Sequence, residues 1–219
     1  QGSAAASRIA QQHRGARIGI MHFPGTYSRE LAAEVLDHLR RQRIEPSKVI
    51  VGLDRANSYA EPILAFMDAD IDLVYLAGGG LDGGLFVRQS RLLGASFEIM
   101  GSDTLTSEVF LDTAGEAADG VVFTFPTPVT PASMRDNEVA LPTESEGYTL
   151  LAKAAVEVWL EGVQRAASLD AQAVAKAIRA APIKTAIGRV SFDEKGDIVT
   201  EHAPFSWYRW NGGKRVAQR

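Results

Sequence analysis

Short apolar runs and amphipathic stretches alternate along the first 125 residues. Residues 17–21 (RIGIM), 48–51, 71–76, 97–100 and 121–125 read as strands. Residues 71–76 are apolar throughout apart from Asp72, and continuous apolar character suits a parallel sheet covered on both faces. The intervening segments have helical spacing. Residues 4–13 read as a helix, and between 28 and 43 Leu31, Val35, Leu36 and Leu39 recur on one face. Ser58-Tyr59-Ala60-Glu61 fits a capping box, with Pro62 tolerated in the first turn, opening a helix to about 67. A glycine-rich loop at 78–84 leads into a helix ending near 93. This alternation predicts an α/β fold: a doubly wound parallel sheet with right-handed crossovers.

The pattern changes after Phe125. Pro126, Pro128, Pro131 and Pro142 fall in a stretch of little periodicity that reads as a connection. Trailing helices follow at 148–167 and 170–180, the first with an apolar stripe of Leu151, Ala155, Val158, Trp159 and Val163. The chain ends in β structure: 188–192, 205–210 and a short strand after Asn211-Gly212-Gly213, where Asn-Gly is the expected turn of a C-terminal β-hairpin.

Composition narrows the chemistry. The 219 residues are 46% hydrophobic with a formal net charge of −4, which argues against a nucleic-acid partner. The basic run Arg40-Arg41-Gln42-Arg43 falls at a helix end, where it complements the dipole. With no cysteine, disulfides, thiolate metal sites and cysteine nucleophiles are excluded. No run of about 18 apolar residues suggests a membrane span. The opening Gln1-Gly2-Ser3 lacks leader character and reads as the start of a mature or cut form.

Two candidate sites emerge. Gly78-Gly79-Gly80-Leu81-Asp82-Gly83 formally fits G-x-G-x-x-G, with Asp103 at the distance of a ribose-binding acid. Asp82, however, places an anion where a pyrophosphate would lie, so a flexible turn with Asp82 as helix cap is favoured. His13, His22, His38 and His202 have no metal-ligand spacing, and no cofactor is expected. The second candidate is a rim at the carboxyl ends of the strands, where Tyr27, Gly79 and Asp103 follow the first, third and fourth strands. An acid, an aromatic and open backbone suit a small cationic or zwitterionic ligand. Asp103 could equally cap a helix beginning near Thr106, and the residues leave both readings open.

Several stretches in order carry a resemblance: Gln1-Gly2, RIGIMHFPGTYSRELA, DLVYLAGGGLDGGLFVRQSRLLG, IMGSDTLTSEVFLDTAGEAADGVVFT, EGYTLLAKAAVEVW and IGRVSFDEKGDI with WYRWNGGK. The chain resembles the leucine/isoleucine/valine-binding proteins, type I periplasmic solute-binding proteins of branched-chain amino-acid ABC transporters. The resemblance implies two lobes closing on a ligand. Residues 1–125 would be the second lobe, 126–198 the crossing and the trailing part of the first lobe, and 199–219 the return segment and hairpin. Asp103 would hold the ligand ammonium, with Tyr27 and Tyr148 as aromatic walls. Gly79 stands where well-known members carry a tyrosine, which implies a roomier or altered pocket, so aromatic amino acids, amides or other small carboxylates become candidates. The resemblance also implies a periplasmic binding component rather than an enzyme, delivering its ligand to a permease. The leading part of the first lobe is absent from this sequence. A bared apolar face on the 148–180 helices is therefore expected to be covered by a second, swapped or associated chain. A nucleotide-dependent enzyme using 78–83, or a sensory domain of the same fold, stand as alternatives.

Overall fold

Seven strands form one sheet, in the spatial order Lys214–Gln218, Phe205–Asn211, Val122–Pro126, Glu98–Gly101, Leu73–Ala77, Ile18–His22, Lys48–Val51. They are β1 (Ile18–His22), β2 (Lys48–Val51), β3 (Leu73–Ala77), β4 (Glu98–Gly101), β5 (Val122–Pro126), β9 (Phe205–Asn211) and β10 (Lys214–Gln218). The first five pair in parallel, while β9 and β10 form an antiparallel hairpin on one edge. Every residue of β3 is buried, as its unbroken apolar run requires, whereas edge strand β2 is only partly covered. The computed structural model describes residues 1–52, 57–127, 148–199 and 205–218. The chain divides into two units, Gln1–Phe125 with Phe205–Arg219, and Pro126–Pro204.

In the first unit, α1 (Gly2–Gln12) and α2 (Thr26–Arg41) cover one face. Ala5, Ala6 and Ile9 of α1 join Leu31, Val35 and Leu39 of α2 over Ile18, Ile20, Leu73 and Tyr75. On the other face, α3 (Ala60–Asp68), α4 (Gly80–Leu92) and α5 (Glu108–Ala114) bury Ile63, Phe66, Phe86 and Phe110 against Val74, Leu76, Ile99 and Phe123. Fully burying one such side chain contributes about 1.5–3 kcal/mol, so these two layers hold the sheet. Close approach is built in at Gly19, where a Cβ would fall 2.7 Å from the Phe66 ring.

Two local expectations shift by a residue. Helix α3 begins at Ala60 with Tyr59 as its N-cap, and the Ser58 hydroxyl accepts the Ala60 N–H at 3.2 Å rather than the third helical N–H. In the closing hairpin Asn211 is still in the strand, paired with Lys214, and the turn is Gly212-Gly213, both at positive φ. Two glycines also satisfy a two-residue mirror-image turn, because both accept positive φ.

The second unit contains α6 (Thr149–Ala166), α7 (Ala171–Ala180) and an antiparallel sheet of β6 (Ile183–Thr185), β7 (Gly188–Phe192) and β8 (Ile198–Val199). The buried line of α6 is Ala154, Val158 and Gly162 rather than the whole stripe expected from sequence; Ala155 and Trp159 are exposed. Small residues win because α7 comes close: a Cβ at Gly162 would lie 2.5 Å from Ile178. Val156, Trp159 and Leu160 form an exposed apolar side of α6. Residues 128–147, which contain three of the prolines read as a connection, lie outside the described residues.

Candidate functional site

Strand order reverses at β1: β2 lies on one side of it, and β3, β4 and β5 follow on the other. At such a switch point the loops leaving the strand carboxyl ends diverge and open a crevice. The loop after β1 enters α2, whose second residue is Tyr27. After β3 come Gly78 and Gly79, and after β4 come Ser102 and Asp103. These segments pack together. A Cβ at Gly78 would strike the Ser28 hydroxyl, and one at Gly80 would lie 2.9 Å from the Ser107 hydroxyl.

Tyr27 and Asp103, 76 residues apart in sequence, meet directly. The Tyr27 hydroxyl lies 3.0 Å from Asp103 Oδ1 and 2.7 Å from Gln1 Oε1, and Gln1 Nε2 donates to the same Asp103 oxygen at 2.7 Å. Burial pushes the Tyr27 phenol up to about 12; a Ser102 hydrogen bond opposes the shift and the Asp103 charge reinforces it. Tyr27 therefore stays a neutral donor at physiological pH. Asp103 does not cap the following helix. That task falls to Ser107, whose hydroxyl accepts the Phe110 N–H at 3.2 Å, while Asp103 opens a single 3-10 turn (Asp103–Thr106). The Asp103 carboxylate is therefore not the cap of α5.

Asp103 is held from below. Leu105 packs so tightly over Gly101 that a Cβ there would clash with its side chain and approach Leu76 O at 3.0 Å. Gly101 is thus required for the turn to descend onto the sheet. Gln1 was not a candidate on sequence grounds. A lone glutamine before a helix carries no chemical signal, and only the fold brings it to an acid and a phenol.

Gly79 has φ +85, and a Cβ there would lie 2.6 Å from the Phe23 ring. The place a side chain would start is therefore occupied by buried Phe23 rather than left open. The glycine-rich loop is also not arranged for a pyrophosphate. The buried Tyr59 hydroxyl donates to Asp82 Oδ1 at 2.6 Å, which fixes that carboxylate in the first turn of α4. An anion at this helix start occupies the favourable end of the dipole. Tyr148 belongs to the second unit, where it is the half-exposed N-cap of α6. His22 Nδ1 lies 3.3 Å from Phe23 O, and His38 sits one turn from Glu34. Among the described residues no group of three or more His, Cys, Asp or Glu could hold a metal ion, and no helix is long and apolar enough to cross a membrane.

Comparison with known proteins agrees with this architecture. The family model described as periplasmic binding protein matches residues 1–214. The Leu/Ile/Val-binding protein BraC3 of Rhizobium johnstonii is 32% identical over 99% of this chain and 60% of its own length. A leucine-, isoleucine-, valine-, threonine- and alanine-binding protein of Pseudomonas aeruginosa is 27% identical over 96% of this chain and 57% of its own. The leucine-binding protein LivK of Thermotoga maritima superposes with a TM-score of 0.76 at 22% identity, over all of this chain and 64% of that one. A solute-binding protein of Rhodopseudomonas palustris, solved with benzoate, gives 0.71 at 16% identity, covering 99% and 61%. The chain spans about 60% of the length of the curated relatives it matches. On the family match along nearly its whole length, with the parallel sheet and helices on both faces that such a lobe requires, this chain belongs to the periplasmic binding protein family.

Proposed function

We propose that this chain is the larger part of an extracytoplasmic receptor that captures an amino acid, of the leucine/isoleucine/valine class or close to it, and presents it to an ABC transporter permease. The observation that carries the reading is the meeting of Asp103 and Tyr27 at the switch-point edge of the sheet. A carboxylate beside a neutral phenol is suited to an ammonium group, through charge-assisted hydrogen bonds. It is unsuited to a bare carboxylate, which Asp103 would repel. A relative solved with benzoate therefore marks the range of the fold, while Asp103 favours a ligand that carries an amine. The mechanism is binding without chemistry: ligand stabilises a closed arrangement of lobes by binding it more tightly than the open one. Gly79 would contribute backbone to the same rim.

The test is titration calorimetry on the intact protein that carries this chain, against the common amino acids and against benzoate and NAD. Binding of one or more aliphatic amino acids, lost in Asp103→Ala, is the expected result. No amino-acid binding by the wild type, or an Asp103→Ala affinity equal to wild type, would overturn the proposal.

A further inference from the structure

The Gln1 carboxamide sits between the two groups on which the proposed function rests. Its orientation follows from their chemistry. An ionised carboxylate only accepts, so the amide end 2.7 Å from Asp103 Oδ1 must be the NH₂. The opposite end is then the carbonyl oxygen, 2.7 Å from the Tyr27 hydroxyl. A phenol has one proton, and Tyr27 has two acceptors within reach, Gln1 Oε1 at 2.7 Å and Asp103 Oδ1 at 3.0 Å. The nearer acceptor is Gln1.

The position of Gln1 is itself fixed. Its carbonyl accepts the Ala5 N–H at 3.0 Å, and the next N–H, that of Gly2, donates to Glu34 Oε2 of α2 at 3.1 Å. A Cβ at Gly2 would fall 2.7–2.8 Å from Glu34 atoms, including its Cβ. The first turn of α1 is therefore seated against α2, and α2 also carries Tyr27. Gln1 cannot drift from Tyr27 without unseating that turn.

We infer that Gln1 is a positioning residue for ammonium recognition, holding the Tyr27 proton so that the phenol oxygen and the Asp103 carboxylate together present acceptors to the ligand's amine. The inference rests on the proposed function and deepens it. An amine donates, so it needs acceptors. If Tyr27 spent its proton on Asp103, it would reduce the acceptor capacity of that carboxylate. With the proton drawn to Gln1, Tyr27 turns lone pairs toward the incoming N–H groups. Gln1 Nε2 meanwhile holds the carboxylate in place at Oδ1.

The experiment is a double-variant cycle by calorimetry on the intact protein, with L-leucine, L-valine and L-alanine as probes. Gln1→Met keeps the length of the side chain and removes both hydrogen bonds. Alone it is expected to weaken binding roughly tenfold, and Tyr27→Phe to weaken it by about as much. Because Gln1 acts through the Tyr27 hydroxyl, the double variant should fall well short of the roughly hundredfold product of two independent losses. A packing role for Gln1 would instead give the full product. Gln1→Met affinity within about twofold of wild type, or a fully multiplicative double variant, overturns the inference. Asp103→Asn, run in parallel, separates the two levels. If it leaves amino-acid affinity intact, the proposed function itself fails. If it lowers affinity while Gln1→Met does not, only the role of Gln1 falls.

Discussion

The indole N–H of Trp210 donates to the carbonyl of Leu105 at 2.9 Å, so the final hairpin of the chain grips the turn that presents Asp103. The two residues are 105 positions apart, and Trp210 is buried beside Phe123 with ring centroids 5.2 Å apart. The sheet edge is thereby coupled to the candidate site. Trp210→Phe keeps most of the apolar contact and leaves the Leu105 carbonyl without this donor. The expected cost is about 1–3 kcal/mol of stability, read by urea denaturation. Ligand affinity should drop as well, because the Asp103 turn loses its tie; a destabilised variant with unchanged affinity would disconnect the hairpin from the site.

Asp103 and Ser107 divide two tasks that the sequence left together. Ser107 caps α5, so Ser107→Ala should cost about 1 kcal/mol and leave amino-acid binding nearly unchanged. Asp103→Ala should do the reverse, abolishing binding with little loss of stability, because its carboxylate meets a half-exposed tyrosine and Gln1 rather than a helix end. Denaturation and calorimetry on both variants would give crossed outcomes. Parallel outcomes would mean that the division is wrong.

Gly79 combines a left-handed backbone with a neighbour already in contact. A side chain there meets two penalties, about 1–2 kcal/mol for the positive φ and about 1–3 kcal/mol for pressing on Phe23. Gly79→Ala should therefore lower stability by about 2–5 kcal/mol. Combining it with Phe23→Leu should be non-additive, since the smaller partner relieves the contact and leaves only the backbone strain. Simple additivity in thermal or urea unfolding would show that the ring is not what excludes a side chain.

Much of the fold was legible because its signals are local. The runs RIGIM and 71–76 announce buried parallel strands, and Leu31, Val35 and Leu39 announce the inner face of α2. Failures came where a neighbour overrides local preference. Trp159 belongs to the apolar stripe of α6 by spacing, yet Ala154, Val158 and Gly162 form the buried line, and at Gly162 Ile178 approaches too closely for a side chain. Very short strands such as Ile183–Thr185 and Ile198–Val199 carry too few residues for a period to be read. Within the site, Tyr27 and Asp103 could be placed on one edge by topology, because parallel strands put their carboxyl ends together. The part played by Gln1 could not, because it depends on how α1 seats against Glu34.

Tyr75 lies at the centre of the sheet with its hydroxyl fully buried and without a hydrogen-bond partner among the described residues. Leaving a polar group unmatched in the interior costs about 1–3 kcal/mol, so Tyr75→Phe, which removes the hydroxyl and preserves the ring, should raise stability by about 1 kcal/mol. The variant should also change the response to alkali. Burial, reinforced by the charges of Tyr27, Asp103 and Glu34, pushes the Tyr75 phenol upward, and Tyr27 is pushed up to about 12 mainly by burial. A phenol whose folded value lies above its unfolded value of about 10 keeps its proton longer in the native state. Its contribution is fully present below about pH 10 and is lost as pH climbs toward the folded value, because the unfolded chain then binds fewer protons. Wild-type stability should accordingly decline above about pH 10. Tyr75→Phe should decline less steeply and retain the smaller, solvent-screened share due to Tyr27. Urea unfolding across that range measures both slopes. A Tyr75→Phe protein that is less stable at neutral pH, with the same alkaline slope as wild type, would mean that the hydroxyl is satisfied by ordered water and that its ionisation is not coupled to folding.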